Sequence, residues 1–181
     1  MKLIKDRTPA IIFDIDGTLG LGIGEHRKAF DYNKVGEDKP NHMVWIALSL
    51  LCKEYKIIFL SGRENVTFPG KSERKDKVFR RAYFNPKNTD KWNNVEFPNC
   101  FELTKAWLEY WSDIYDGPND ITLFMRAEGN NEPDHKVKKE MYYNDVVNNY
   151  NIKLVIDDRN QVVDMWRDLG LPCWQVAPGN F

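Results

Sequence analysis

Short apolar runs, each closed by polar or turn residues and separated by stretches of helical periodicity, constrain this chain more than any other feature. Five such runs occur: Ile11-Ile12-Phe13 before Asp14, Lys56-Ile57-Ile58-Phe59-Leu60 before Ser61, Ile121-Thr122-Leu123-Phe124-Met125 before Arg126, Ile152-Lys153-Leu154-Val155-Ile156 before Asp157, and Cys173-Trp174-Gln175-Val176 before Ala177. Runs that do not alternate with polar residues read as strands covered on both faces. Between them, Met43, Val44, Ala47, Leu48 and Leu51 recur at helical spacing, and Leu103, Trp107, Tyr110, Trp111 and Ile114 do so after a cap at Asn99. Residues 134–149 and 160–169 also read as helices, the second stopped by Gly170 and Pro172. Strands alternating with helices predict an α/β fold, a three-layer sandwich around a central parallel five-stranded sheet. A length of 181 residues suits one domain spanning 1–181.

Charge and cysteine usage exclude several function classes. The 26 Lys and Arg nearly balance the 27 Asp and Glu, so no global field draws the chain to nucleic acid or membrane. Cys52, Cys100 and Cys173 are far apart and form no CxxC pair, which argues against a disulfide framework or a zinc ribbon. His26, His42 and His135 lack metal-ligand spacing. No leader-like or long apolar stretch is evident, and a cytoplasmic protein without membrane contact is expected.

The chemistry collects where the strands end. Asp14 and Asp16 close the first run, with Gly17 permitting a sharp exit and Thr18 adding a hydroxyl. Buried carboxylates without partners are costly, so this pair calls for a cation or a reaction. Ser61, Gly62 and Arg63 close the second run, Arg126 the third, and Asp157 with Asp158 the fourth. In open α/β sheets the ligand crevice lies outside these carboxyl ends. A phosphomonoester hydrolase would use such residues directly. Asp14 serves as nucleophile, Asp16 as acid and then base, and Lys138 as a point charge beside phosphate. Ser61 and the Gly62 amide hold a phosphoryl oxygen. Asp14, Asp16, Asp157 and Asp158 are the candidate shell for Mg²⁺. Lys136 and Lys139 are close enough in sequence to be confused with Lys138, but helical geometry puts them on different faces.

The set Asp14-Ile15-Asp16-Gly17-Thr18-Leu19, Ser61-Gly62-Arg63, Lys138 and Asp157-Asp158 resembles the haloacid dehalogenase superfamily. A narrower resemblance is to the 3′-phosphatase domain of bacteriophage polynucleotide kinase-phosphatases. It rests on Arg27-Lys28-Ala29-Phe30-Asp31, Lys34 to Pro40, Ser61 to Glu64, Val137 to Glu140, and above all Ile156 to Arg167 continuing through Cys173-Trp174-Gln175-Val176-Ala177. The resemblance implies a Rossmann-type sheet with no large cap domain. It also implies a Mg²⁺-dependent activity on terminal 3′-phosphates in end repair, with Arg27 and Arg63 assisting substrate binding. The family commonly places an aspartate and an arginine before the lysine motif; Asn130 and Glu132 stand there, while Asp134 is retained. A separate kinase or ligase is a possible partner, and the sequence leaves open whether one accompanies the chain.

Residues 64–98 read as an inserted segment. Lys71, Arg74, Lys75, Lys77, Arg80, Arg81, Lys87 and Lys91 are interleaved with Tyr83, Phe84, Trp92 and Phe97, a pattern that suits either a nucleic-acid backbone contact or a solvated surface. Gly70-Lys71-Ser72 looks like the end of a phosphate-binding loop, but Asn65 stands where its first glycine is required, so an ordinary loop is the better reading. Two other functions compete. One is a phosphatase of the same fold acting on nucleotides or small phosphomonoesters. The other is a non-catalytic module that binds nucleic-acid ends.

Overall fold

The computed structural model describes residues 6–24, 27–68 and 97–179. In chain order the elements are β1 (Thr8–Phe13), β2 (Gly20–Leu21), β3 (Lys39–Pro40), α1 (His42–Leu51), β4 (Lys56–Glu64), α2 (Cys100–Tyr115), β5 (Thr122–Arg126), α3 (Asp134–Met141), β6 (Tyr150–Arg159), α4 (Asn160–Asp168) and β7 (Cys173–Gly179). Five strands form one sheet in the order β5-β4-β1-β6-β7, every pair parallel. The expected parallel α/β sandwich is therefore present, with β1 at its centre.

Alternation along the central strands sorts the core into two layers. Ile11, Phe13, Ile57 and Phe59 pack with Trp45 and Leu48 of α1 and Leu103 and Trp107 of α2. Ala10, Ile12, Ile58 and Leu60 point the other way, toward Val137 of α3 and Val162 and Trp166 of α4. Trp45, Trp107 and Trp166 are fully buried. The Trp and Tyr residues of α2 are thus core residues. The Asn99 side chain caps α2 by accepting from the Glu102 amide, as its sequence position predicts.

Three departures from the sequence expectation have local causes. β4 continues past Ser61 to Glu64, with a register shift between Ser61 and Glu64 against β5. Such an irregularity re-aims the side chains at a strand end. The helix expected over 134–149 is α-helical only to Met141, then passes into a π turn over Tyr142–Val146, closed by the Val147 amide on the Tyr142 carbonyl. β7 runs through Pro178 to Gly179, which an edge strand tolerates because its outer amides need no partner.

Between β1 and α1 the chain makes an excursion, pinned by the short antiparallel pair β2–β3. The Trp45 indole donates to the Leu19 carbonyl at 3.1 Å and the Trp107 indole to the Asp38 carbonyl at 2.8 Å. Two core tryptophans thereby fix both ends of this excursion, which carries Arg27 and Phe30 to the end of the sheet. The basic segment from Lys71 to Trp92, with Gly70-Lys71-Ser72, lies outside the described residues.

Candidate active site

Asp14 follows directly on β1, its amide donating to the Ile156 carbonyl of β6 at 2.9 Å. This bond sets the two acidic strand ends side by side. Lys138, one turn into α3 and only 2% exposed, donates to Asp14 Oδ1 at 2.7 Å and to Asp157 Oδ2 at 2.9 Å. Asp134 Oδ2, four residues earlier on the same helix face, lies 3.6 Å from the ammonium. Burial alone would lower the Lys138 pKa, but the Asp14, Asp157 and Asp134 carboxylates hold it well above the usual lysine range. Lys136 and Lys139 are exposed, so burial separates them from Lys138.

Ligand oxygens of Asp14, Asp157 and Asp158 all lie within 4.8 Å of one another. Asp14 Oδ2 is buried and has no hydrogen-bond partner among the described residues. Burial pushes the Asp14 carboxyl well up despite Lys138, with Asp157 and Asp158 adding to the rise; burial and Asp157 push Asp158 up to about 6. Three crowded carboxylates against one ammonium leave excess negative charge and an open oxygen lone pair. That donor set suits a hard cation with oxygen ligands. Gly17 makes the approach possible: its φ is +83°, and a Cβ there would stand 2.1 Å from Asp158 Oδ2.

The Asp16 carboxylate is outside this group, although it was expected in the metal shell. The excursion after β1 turns it toward two buried guanidinium groups. Arg63 Nε and Nη2 both donate to it at 2.8 Å, and Arg27 Nη2 bonds Asp16 Oδ1 as well. Burial alone would raise the Asp16 pKa, but Arg63 and Arg27 pull it down to about 2. Behind them stands Asp38, 2% exposed, which accepts from Arg27 Nε and Nη2 at 2.7 Å and from Arg63 Nη2 at 2.6 Å. Two arginines thus bridge two aspartates, and the planar guanidinium forks fix the direction of the Asp16 carboxylate.

One cavity of about 310 Å³ gathers most of the candidate residues. Asp14, Asp16, Gly62, Arg63, Arg126, Lys138 and Asp158 line it, with Ile23, Phe30 and Tyr32 contributed by the excursion. Asp157 is 1% exposed and reaches the site through Lys138. The Ser61 hydroxyl is fully buried, accepts from the Arg63 amide at 3.1 Å, and does not line the cavity. Thr18 is likewise fully buried and off the cavity wall, its hydroxyl without a partner among the described residues. Arg27 is 4% exposed and acts on the site through Asp16 rather than by lining it. Arg126 at the end of β5 donates to Asp134 Oδ1 at 3.1 Å and to the carbonyls of Asn130 and Glu132, tying down the loop before α3.

Sequence reasoning missed Asp38, Arg159 and Phe30. Asp38 sits between a 3₁₀ turn and the two-residue β3, where no strand-end rule applies. A signal was present in its place within the long Lys34 to Pro40 match. Arg159 lines the cavity and lies 3.5 Å from Asp134 Oδ2; its position right after the Asp157-Asp158 pair was the available clue. Among the described residues, Phe30 is the one large apolar side chain in the cavity with most of its surface in solvent, at 80% exposure.

The chain is similar to several known proteins. A family model for the phosphatase domain of polynucleotide kinase PNKP matches residues 8–95 and 91–181. A putative bifunctional polynucleotide kinase/RNA ligase of Autographa californica nuclear polyhedrosis virus is 27% identical over 172 residues, covering 93% of this chain and 19% of the relative. Among solved structures, chains of the Pnkp1/Rnl/Hen1 complex and of the Pnkp1/Rnl/Hen1 RNA repair complex are each 31% identical, with TM-scores of 0.67 and 0.66. Both cover 97% of this chain, which spans 48% and 44% of theirs. No helix among the described residues is long and apolar enough to cross a membrane. The chain belongs to the polynucleotide kinase PNKP phosphatase domain family, of haloacid dehalogenase type.

Proposed function

We propose that this protein is a Mg²⁺-dependent polynucleotide 3′-phosphatase working through a phospho-aspartyl intermediate on Asp14. The observation that carries this reading is the pairing of two aspartates, two residues apart, with opposite surroundings. Asp14 is held between a buried ammonium and two acidic neighbours; Asp16 is held by two arginines. Both line one cavity at the carboxyl ends of the sheet.

In the first half-reaction a carboxylate oxygen of Asp14 attacks phosphorus, and the bond from phosphorus to the 3′ oxygen breaks. Asp16 gives its proton to the departing oxygen. In the second, water attacks the acyl-phosphate, the bond to Asp14 breaks, and Asp16 takes the water's proton. Lys138 offsets the charge of Asp14 and of the phosphate throughout. Asp14, Asp157 and Asp158 would hold Mg²⁺, which when bound neutralises charge that otherwise repels a phosphate dianion. In the resting site Asp16 is a carboxylate, the form the second half-reaction requires. Arrival of a doubly charged phosphate beside it adds negative charge and raises its pKa, so that Asp16 takes up a proton from solvent and enters the first half-reaction as the acid.

The kinase, ligase and RNA repair activities named for the relatives support RNA ends as substrate and a kinase or ligase as partner. The test is a panel of 3′-phosphorylated oligonucleotides, 5′-phosphorylated oligonucleotides and free nucleotides, each assayed with Mg²⁺ and with chelator. Preferential Mg²⁺-dependent release from 3′ ends is expected. Equal or better turnover of free nucleotides would favour a small-molecule phosphatase, and tight end-binding without turnover would favour a binding module.

A further inference from the structure

Phe30 stands apart from the other large apolar residues near the site among the described residues. Its ring lines the same cavity as Asp14, Asp16 and Lys138, yet it is 80% exposed. The neighbouring Tyr32 is buried and pairs edge-to-face with it, with centroids 6.2 Å apart and planes at 82°. Ile23, from the same excursion, is also partly exposed on the cavity wall. The excursion itself is anchored by the Arg27–Asp38 pair and by the two core tryptophans. An open aromatic ring on a fixed support, beside a phosphate-handling centre, has the chemistry of a stacking surface. A cavity of about 310 Å³ is small for more than one nucleotide-sized group.

We infer that Phe30 is the platform on which the base of the 3′-terminal nucleotide stacks while its 3′-phosphate lies against Asp14 and Lys138, so that the terminal nucleotide is bound unpaired. The assignment rests on the 3′-phosphatase reading and adds a base subsite to it. Because every base has a stacking face, this subsite favours the presence of a base without selecting which one.

The experiment compares oligonucleotides ending in a normal 3′-phosphorylated nucleotide with identical ones whose last nucleotide is abasic. Stacking on one aromatic ring is worth roughly fivefold to a hundredfold. Wild-type protein should prefer the base-bearing end by about tenfold in kcat/KM, and Phe30→Ala should bring that ratio close to one. Phe30→Trp, which keeps a larger ring, should restore the preference; this separates lost stacking from a damaged loop. In the Asp14→Asn background, a terminal 2-aminopurine should be quenched on binding when Phe30 is present and remain bright with Phe30→Ala. A preference that survives Phe30→Ala, together with unchanged quenching, overturns the stacking assignment alone. Failure of the wild-type protein to turn over or bind any 3′-phosphorylated end overturns the 3′-phosphatase reading and the subsite with it.

Discussion

The Lys138 ammonium donates to Asp14 Oδ1 at 2.7 Å, and both residues are almost wholly shut off from solvent. This contact joins the lysine of α3 to the residue that follows β1. Removing one partner of a buried charge pair leaves the other uncompensated, at about 3–5 kcal/mol. Lys138→Met should therefore destabilise the fold by about that amount and reduce phosphate release at least a hundredfold. Adding Asp14→Asn to Lys138→Met should recover part of the stability and none of the activity. Urea unfolding of the two single variants and the double variant measures this coupling.

Asp38 never lines the cavity but orients both arginines that hold Asp16. Asp38→Asn keeps the volume and removes the charge. The expected result is a fall in kcat of about tenfold to a hundredfold, of the size acid–base catalysis supplies, with KM changed less. Steady-state kinetics on a 3′-phosphorylated oligonucleotide separates the two parameters.

Gly17 lies against the Asp158 carboxylate with φ at +83°. In Gly17→Ala the new Cβ would force that carboxylate away, and the backbone strain adds about 1 kcal/mol. The Mg²⁺ concentration for half-maximal activity should rise at least tenfold, while Gly24→Ala, at φ +81° with open space around it, should leave it unchanged. Metal titrations of the two variants provide the comparison.

Asp158 titrates near 6 without metal because burial and Asp157 oppose its charge. Its folded pKa is raised above the ordinary aspartate value, so it favours the metal-free fold at low pH and that contribution is lost as pH rises from about 4 to 6. A bound cation reverses the balance, since ligand and proton compete for the same carboxylate. The rise in Tm on adding Mg²⁺ should be small at pH 5 and should grow up to about pH 7. Thermal unfolding with Mg²⁺ and with chelator, across that range, checks the sign.

Asp16 behaves oppositely. With its pKa drawn down to about 2, its ion pairs contribute about 2 kcal/mol of stability that is fully present above pH 4 and is lost as pH falls toward 2. The stability gap between wild type and Asp16→Asn should therefore close over that interval in urea titrations.

Much of this site was legible in the sequence because parallel sheets place their chemistry at strand ends. Asp14, Asp157, Arg63 and Arg126 follow that rule, and the five apolar runs located the sheet. The direction of side chains was less legible. Ser61 and Thr18 have the right chemistry at the right places, yet their hydroxyls are buried away from the cavity. Asp16 shares a motif with Asp14, but the turn after β1 delivers it to Arg27 and Arg63 instead of to the acidic cluster. Asp38 and Phe30 lie on an irregular excursion whose path is set by tertiary contacts with Trp45 and Trp107, and local periodicity carries no trace of such contacts.

In the proposed mechanism Asp14 carries the phosphoryl group between the two half-reactions. The most direct measurement is rapid-quench mass spectrometry after mixing the protein with a 3′-phosphorylated oligonucleotide and Mg²⁺. One transient, hydroxylamine-sensitive phosphate is expected on the peptide containing Asp14, absent in Asp14→Asn, which should be inactive. Phosphate release by Asp14→Asn at the wild-type rate, or a label on any other residue, would contradict this mechanism.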